Sequence, residues 1–448
     1  MCSYRNGRNC RGKRPVSSGI LARGKGRKAI RSTVTLCSCA THTHRAYRYT
    51  RVPSAPPGVV KRHHQVLIIG AGPAGSAAAH TLARGGVDVA LVDKARFPRD
   101  KLCGGLLTLR CRKVYRSIFD APWEEVIGHV STGVKFLHGG RVLNEVRGAS
   151  QLFFTRRLNF DHFLLEQAVA RGAVTYLGAA IVDLDLSVKS CRLDSGLEIG
   201  FDALIGADGV NSLVAKCLFG RSFDPERVAF ALEMEVDPAR SAARVDDPEI
   251  HFGLARWGYA WVFPKKDTLT VGIGGLLARN PDLKTTFRRF HLERFGVEAQ
   301  GRIRGHHLPF GDYRSIPGRG NVLLCGDAAG LVEPITGEGI AFALHSGRLA
   351  AEALIEAGAG AVALAGYRAR YREIAADFDH ARRLRYLLFP DLSERLFLKA
   401  LHGAKSLPRK HLELMADEIG YGEYFRYLLA SAARHPGRLF HLLARRGQ

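Results

Sequence analysis

The chain has 448 residues, 46% of them hydrophobic, with 49 Gly and 18 Pro, enough for two interleaved domains around a large core. A mean hydropathy of -0.07 excludes a disordered chain, and no apolar run reaches the roughly 18 residues of a bilayer span. The net charge of +24 suits nucleic acid or an anionic surface, but it is unevenly spread. Met1 to His64 holds 15 Lys and Arg and no acid, while the other 384 residues carry 51 basic against 42 acidic side chains, a net +9.

The stretch 1–64 is rich in Arg, Ser and Gly and has no helical or alternating period. It reads as a basic disordered tail. A transit peptide, a nucleic-acid-binding arm and upstream sequence outside the mature protein all fit its composition, and Pro53-Ser54-Ala55-Pro56-Pro57 fits a linker. Within it, Cys37 to His44 has soft-ligand composition without a zinc spacing, so no metal site is expected. The nine Cys show no disulfide framework, which fits a reducing, cytoplasmic setting.

A short apolar run from Val66 to Ile69, a helical pattern from Ala74 to Arg84 and a second apolar run from Val87 to Val92 predict a β-α-β opening. Alternating segments at Val134–Leu137, Arg141–Val146, Val228–Val236 and Leu269–Ile273 predict an antiparallel sheet with one covered face. Phe160 to Arg171 predicts a helix with Asp161 near its start. Asn321–Leu324 reads as a buried strand and Gly339–Glu356 as a helix. From Ala376 onward the pattern is helical, with breaks at Pro390, Pro408 and Pro436.

Gly70-Ala71-Gly72-Pro73-Ala74-Gly75 lies between the first strand and the first helix. Gly70 allows the tight turn, Gly72 lets the backbone approach a pyrophosphate, and Gly75 lets helix and strand pack closely. Asp93 ends the second strand, where a carboxylate can accept from a ribose. This unit binds a dinucleotide, and by itself it does not separate NAD from FAD.

Later segments make that separation. Asp202 to Ser212 resembles the Asp-Gly motif of flavin-dependent hydroxylases, centred on Asp208 and Gly209, and Asn321 to Gly330 resembles their Gly-Asp motif. Four more segments narrow the likeness: Phe97–Gly105, Arg157–Asp161, Gly258–Lys265 and Pro334–Ile340. Together they resemble the geranylgeranyl reductase family, within the aromatic-hydroxylase-like flavoproteins, from about Gln65 to Glu356.

The resemblance implies an FAD enzyme that reduces isolated prenyl C=C bonds by hydride transfer from reduced flavin. It implies an α/β fold: a Rossmann-like FAD domain over 65–375, an interleaved antiparallel-sheet substrate domain at about 120–155 and 225–305, and a helical C-terminal region over 376–448. It places Gly70, Gly72, Ala74, Gly75, Asp93, Cys103, Gly104, Arg157, Asp208, Asp327, Gly339 and Ile340 at the cofactor, with Asp327 on the ribityl chain. Lys216 departs from the family, which often has Arg there.

Arg157 suits either a cofactor anion or a helix-start salt bridge. Cys103, Tyr259 and Trp261 are the candidate catalytic residues. Cys103 suits a thiol acid, a redox role or inert packing, while Tyr259 and Trp261 alternate on one strand face and suit a channel wall or core. The expected partners are an apolar prenyl substrate and an electron donor, NAD(P)H or a ferredoxin-type reductant. The helices after Ala376 are candidates for a lid over the channel or for peripheral membrane contact. No nucleic-acid partner is expected of the globular part. Two other activities stay open on this scaffold: a flavin monooxygenase or halogenase, and an electron-transfer flavoprotein to quinone.

Overall fold

An apolar strand, a glycine turn and an alanine-rich helix open the described chain. The computed structural model describes residues 61–434 apart from 241–244, 359–362, 391–393, 395–396, 400 and 403–405. The basic stretch before Lys61, with Cys37 to His44, lies outside the described residues, as does Pro436. β1 (Lys61–Ile69) leads through the glycines into α1 (Pro73–Arg84) and β2 (Val89–Asp93). β1 starts four residues inside the stretch assigned to the tail. Lys61 to His64 carry no apolar pattern, yet Lys61 pairs with Glu198 at 3.4 Å and His64 with Asp88 at 2.8 Å.

The chain then leaves this layer through β3 (Leu106–Leu107), α2 (Leu109–Arg116), β4 (His129–His138) and β5 (Arg141–Phe154). It returns with α3 (Arg157–Ala170), β6 (Val174–Leu177), β7 (Ile181–Asp185), β8 (Ser190–Leu193), β9 (Glu198–Gly206) and α4 (Leu213–Phe219). A second excursion makes β10 (Ala229–Val236), β11 (Glu249–Phe252), β12 (Tyr259–Pro264), β13 (Leu269–Leu276), α5 (Leu283–Phe295) and β14 (Arg304–Leu308). β15 (Gly318–Arg319), β16 (Val322–Leu324) and α6 (Ile340–Ala357) complete the dinucleotide layer. α7 (Ala363–Leu388), α8 (Ser406–Met415) and α9 (Tyr421–Arg434) follow.

Two eight-stranded sheets result. The first runs β15-β16-β9-β1-β2-β6, with β8 and β7 continuing from β9. Its central pairs β16–β9, β9–β1, β1–β2 and β2–β6 are parallel, and α1 and α6 cover it. Parallel strands are buried on both faces, which is why Val66 to Ile69 and Val89 to Val92 read as unbroken apolar runs. The second sheet runs β14-β10-β13-β12-β11-β4-β5-β3. It is antiparallel except where β11 pairs parallel with β4.

Two expectations at the C-terminus need correction. The helical boundary set at Ala376 falls inside α7, whose pattern runs unbroken from Ala363. Pro408 does not break a helix: it is the third residue of α8, in the first turn, where its missing N–H costs nothing. α7 does end just before Pro390. Among the described residues no helix is long and apolar enough to cross a membrane.

Candidate active site

A cavity of about 290 Å³ runs between the two sheets. One end is the glycine turn, lined by Gly72, Pro73 and Ala74; Lys101 to Leu106, Arg157, Asp327 and Gly337 to Ile340 form its sides. The other end is an apolar trough floored by the second sheet and roofed by Phe397, Leu401, Leu407 and Leu412.

The glycine turn leaves no room for side chains at two positions. A Cβ on Gly75 would lie 1.8 Å from the Gly70 carbonyl oxygen, and one on Gly70, at φ +103°, would lie 2.3 Å from that of Ala207. At Gly72 the nearest neighbour of such a Cβ would be an Arg99 guanidinium nitrogen at 3.6 Å, so the backbone there faces open ground beside a cation. Gly72 stands at the N-cap of α1 and Gly339 at that of α6, and neither helix has a side-chain cap. Their first-turn N–H groups and partial positive charge are thus presented to a ligand.

Asp93 ends β2 half-buried. Its carboxylate accepts from the backbone of Ala71 at 2.9 Å and Ala95 at 2.8 Å, which fixes it beside the turn with lone pairs to spare. Arg157 opens α3 and is buried; it holds Asp161 bidentately at 2.6 and 2.7 Å. Arg99 adds a third contact to Asp161 at 2.8 Å. Lys101 stands 4.0 Å from Asp327. Burial and the neighbouring Arg157 lower its pKa, against the pull of Asp327 and Asp161.

The trough floor is set by register. On β12, Tyr259, Trp261 and Phe263 alternate and share one face, their rings 6.0 and 6.2 Å apart in succession. Tyr259 and Trp261 sit opposite Gly274 and Gly272 of β13. A Cβ on Gly272 would lie 2.2 Å from the indole ring, so Trp261 lies across the sheet in the space glycine leaves. The Tyr259 hydroxyl donates to the Thr336 carbonyl, and burial pushes its pKa up. Trp261 Nε1 is buried without a partner. Gly104 lies under these rings, its added Cβ 2.9 Å from Phe263, and Cys103 is half-buried next to it.

Residues 64–213 match the pyridine nucleotide-disulphide oxidoreductase family. The menaquinone reductase of Mycobacterium tuberculosis is 35% identical over 316 residues, covering 64% of this chain and 76% of that one. The chloroplastic geranylgeranyl diphosphate reductase of Nicotiana tabacum is 30% identical over 344 residues, covering 70% and 71%. The chain belongs to the geranylgeranyl reductase family. Like that family it is an FAD-dependent oxidoreductase. A geranylgeranyl bacteriochlorophyll reductase-like protein from Thermoplasma acidophilum superposes with a TM-score of 0.68 at 20% identity, covering 83% of this chain and 99% of that structure; at that identity the match shows the fold alone.

The residues fit FAD as well as the family does. Two uncapped helix N-termini, the Gly72 backbone and the Arg99–Lys101–Arg157 cluster suit an anionic dinucleotide, and Asp93 suits a ribose. Asp327, Gly339 and Ile340 line the same cavity as Cys103, Gly104, Tyr259 and Trp261. Asp208 has a structural task at the start of α4. Its carboxylate accepts from Ser212 Oγ at 2.5 Å and from the backbone of Leu213 at 2.6 Å, so it ties down the start of α4, while Ala207 and Gly209 beside it line the cavity. Lys216 is exposed on α4. Arg157 makes the expected helix-start salt bridge and also lines the cavity.

Sequence reasoning passed over Arg99, Lys101, Glu233 and His306. The first two lie inside the Phe97–Gly105 segment, and their charge beside a glycine pair was a usable signal. His306 lines the cavity with Nε2 unpartnered; burial brings its pKa down to about 4, so it is neutral near pH 7.

Proposed function

We propose that this protein is an FAD-dependent reductase of isolated C=C bonds in a polyprenyl-bearing molecule. The observation that carries the reading is the continuity of one cavity from the dinucleotide turn into an aromatic-floored apolar trough. Two of its relatives are named for molecules with a polyprenyl chain, menaquinone and geranylgeranyl diphosphate. Bound FAD supplies the two-electron hydride chemistry. Backbone N–H groups at the starts of α1 and α6, with Arg99, hold and neutralise the anionic cofactor. Gly104 and Gly105 line the cavity on the way from the turn to the trough and would border the bound cofactor. Trp261, Phe263 and Phe136 lay an apolar chain flat and exclude water, so that the alkene is held against the donor by orientation.

The electron donor in this proposal is NAD(P)H or a ferredoxin-type protein, docking without a second dinucleotide fold. A halogenase reading is less well supported, because Tyr259 and Phe263 occupy positions where halogenases carry Trp and Ile. The deciding experiment is anaerobic turnover of dithionite-reduced protein with geranylgeranyl diphosphate, menaquinone and a carotenoid precursor, read by mass. A gain of two hydrogens per double bond that persists after air reoxidation of any quinol supports the proposal, and reoxidised flavin with no saturated prenyl product overturns it. Peripheral contact with anionic lipid through the C-terminal helices, which expose Tyr386 and Leu429, belongs to the same proposal. Flotation with phosphatidylglycerol vesicles, weakened by salt, is the expected result.

A further inference from the structure

An isolated alkene has no carbonyl to hold charge, so its reduction needs an acid close to the carbon that does not take the hydride. Tyr259 is a poor source, since its proton is engaged by Thr336, and the neutral His306 lacks the extra proton. Glu233 remains. It lies on β10 at 1% exposure. Oε1 accepts from the Cys103 backbone at 3.2 Å, while Oε2 is buried with no hydrogen-bond partner.

Strand register aims this carboxyl. Glu233 sits opposite Gly272, and Gly272 sits opposite Trp261, so the two side chains share one row of the trough floor with only glycine between them. Glu233 lines the cavity from one side and a second, polar pocket of about 150 Å³ from the other. That pocket is also lined by Asp100, Lys101, Arg156, Glu235, Lys265 and Arg304. Asp100 and Arg156 are exposed, so its rim reaches solvent. Glu233, with Lys101, Cys103 and Arg157, lines both spaces and forms the wall between them.

We propose that Glu233 is the acid that protonates the alkene, and that the polar pocket behind it is the inlet through which it is recharged. The assignment rests on the prenyl-reductase reading. One alkene carbon takes a hydride, with its electron pair, from reduced FAD, which is thereby oxidised. The π pair bonds the other carbon to the Glu233 proton, leaving a carboxylate. A proton from solvent then crosses the pocket to restore the acid, so each saturated bond consumes one hydride and one solvent proton.

Charge around the site supports this order. Burial, the largest effect, pushes Glu233 up to about 7; Glu235 on the same strand adds to it, and Lys265, the Cys103 N–H and Arg304 oppose it. Lys101 and Arg157 face the same pocket. Glu235 is held ionised: burial opposes this, but Lys265 at 3.2 Å and the hydroxyls of Thr268 and Thr270 at 2.6 and 2.7 Å bring it below the ordinary value. Two carboxyls on one strand face are thus driven apart, one toward acid and one toward fixed charge, a pattern that marks acid–base assignments.

The test compares wild type with Glu233→Gln and Glu235→Gln. Infrared titration of the flavin-loaded protein should show a carboxylic-acid band that disappears around pH 7, is absent in Glu233→Gln, and disappears at lower pH in Glu235→Gln. In single turnovers of dithionite-reduced protein with geranylgeranyl diphosphate or menaquinone, the wild-type rate of prenyl C=C saturation should fall about tenfold per pH unit above 7. Glu233→Gln should lose about 100-fold or more, with flavin content unchanged. A wild-type protein without the titrating band, a Glu233→Gln rate within threefold of wild type, or an unmoved profile in Glu235→Gln overturns the proposal. If wild type turns over no prenyl probe, the prenyl-reductase reading fails first and takes the proposal with it.

Discussion

Asp161 has no exposed surface, yet three basic side chains, Arg157, Arg99 and Lys101, converge on it. Burial raises its pKa, and the combined pull of those cations, Arg157 foremost, brings it below the ordinary aspartate range. The native state therefore binds fewer protons here than the unfolded chain. The stabilisation is complete above the ordinary value of about 4 and is lost as pH falls below it. Asp161→Asn strands the buried Arg157 guanidinium and takes a partner from half-buried Arg99, and should cost about 3–5 kcal/mol at pH 7, measured as a lower denaturant midpoint, with the gap to wild type closing in acid. Asp161 was legible as a residue near a helix start. Its partners were not all legible, because Arg99 belongs to another segment and reaches it only through the fold. Glu233 was less visible still: in Ala-Phe-Ala-Leu-Glu-Met-Glu-Val a Glu reads as the polar side of an alternating strand, and only the neighbouring strands reveal that its side is the dry one.

Among the elements, β13 departs furthest from ordinary strand chemistry. Glycine weakens strand interiors, yet Leu-Thr-Val-Gly-Ile-Gly-Gly-Leu places Gly272 and Gly274 opposite two aromatic rings. Gly272→Val should force Trp261 from the floor, costing about 1–3 kcal/mol and turnover, while bound flavin per chain is kept. α6 crosses α1 with equal economy of space, since a Cβ on Gly347 would lie 2.2 Å from the Ala74 carbonyl oxygen. Gly347→Leu should part the two helices whose N-termini face the cofactor, so that flavin content falls. Glu249 of β11 accepts from Arg294 of α5 at 2.7 and 2.8 Å. Burial opposes its ionisation, but Arg294 and His251 hold its pKa down to about 2, so this link too should weaken as pH drops from about 4.5 toward 2. The β1–α1–β2 unit was readable because its signals are adjacent in sequence. The parallel β11–β4 pairing was not, since nothing local in Glu249 to Phe252 names a partner far up the chain.

Taken whole, the molecule divides its charge and its chemistry between different parts. The +15 of residues 1–64 lies almost wholly before β1, whereas the cavity is built by residues from Gly72 to Tyr424. A chain beginning at Val59 should keep its flavin and lose most of its salt-sensitive retention on heparin. The roof is tied to the cofactor side through Arg110, which donates to the Leu414 carbonyl at 2.8 Å and reaches Glu338 and Asp417 at 3.3 Å. Leu412→Asp, in that roof, should raise the KM for an apolar substrate with little change in flavin content. The cofactor half was legible through turn and helix signals; the roof was legible as helices and as a candidate lid, but not which of its residues face the trough, because that depends on what lies beneath it.

That roof also sets the order in which the protein can hide its own apolar surface. The floor is finished with Leu308 of β14, but the roof over it begins near Phe397. At roughly 5–20 residues per second a growing chain would hold an open, aromatic-floored trough for on the order of ten seconds. The trough is thus bare longest at the ribosome, where a chaperone, or the apolar substrate itself, could fill it before the last helices close.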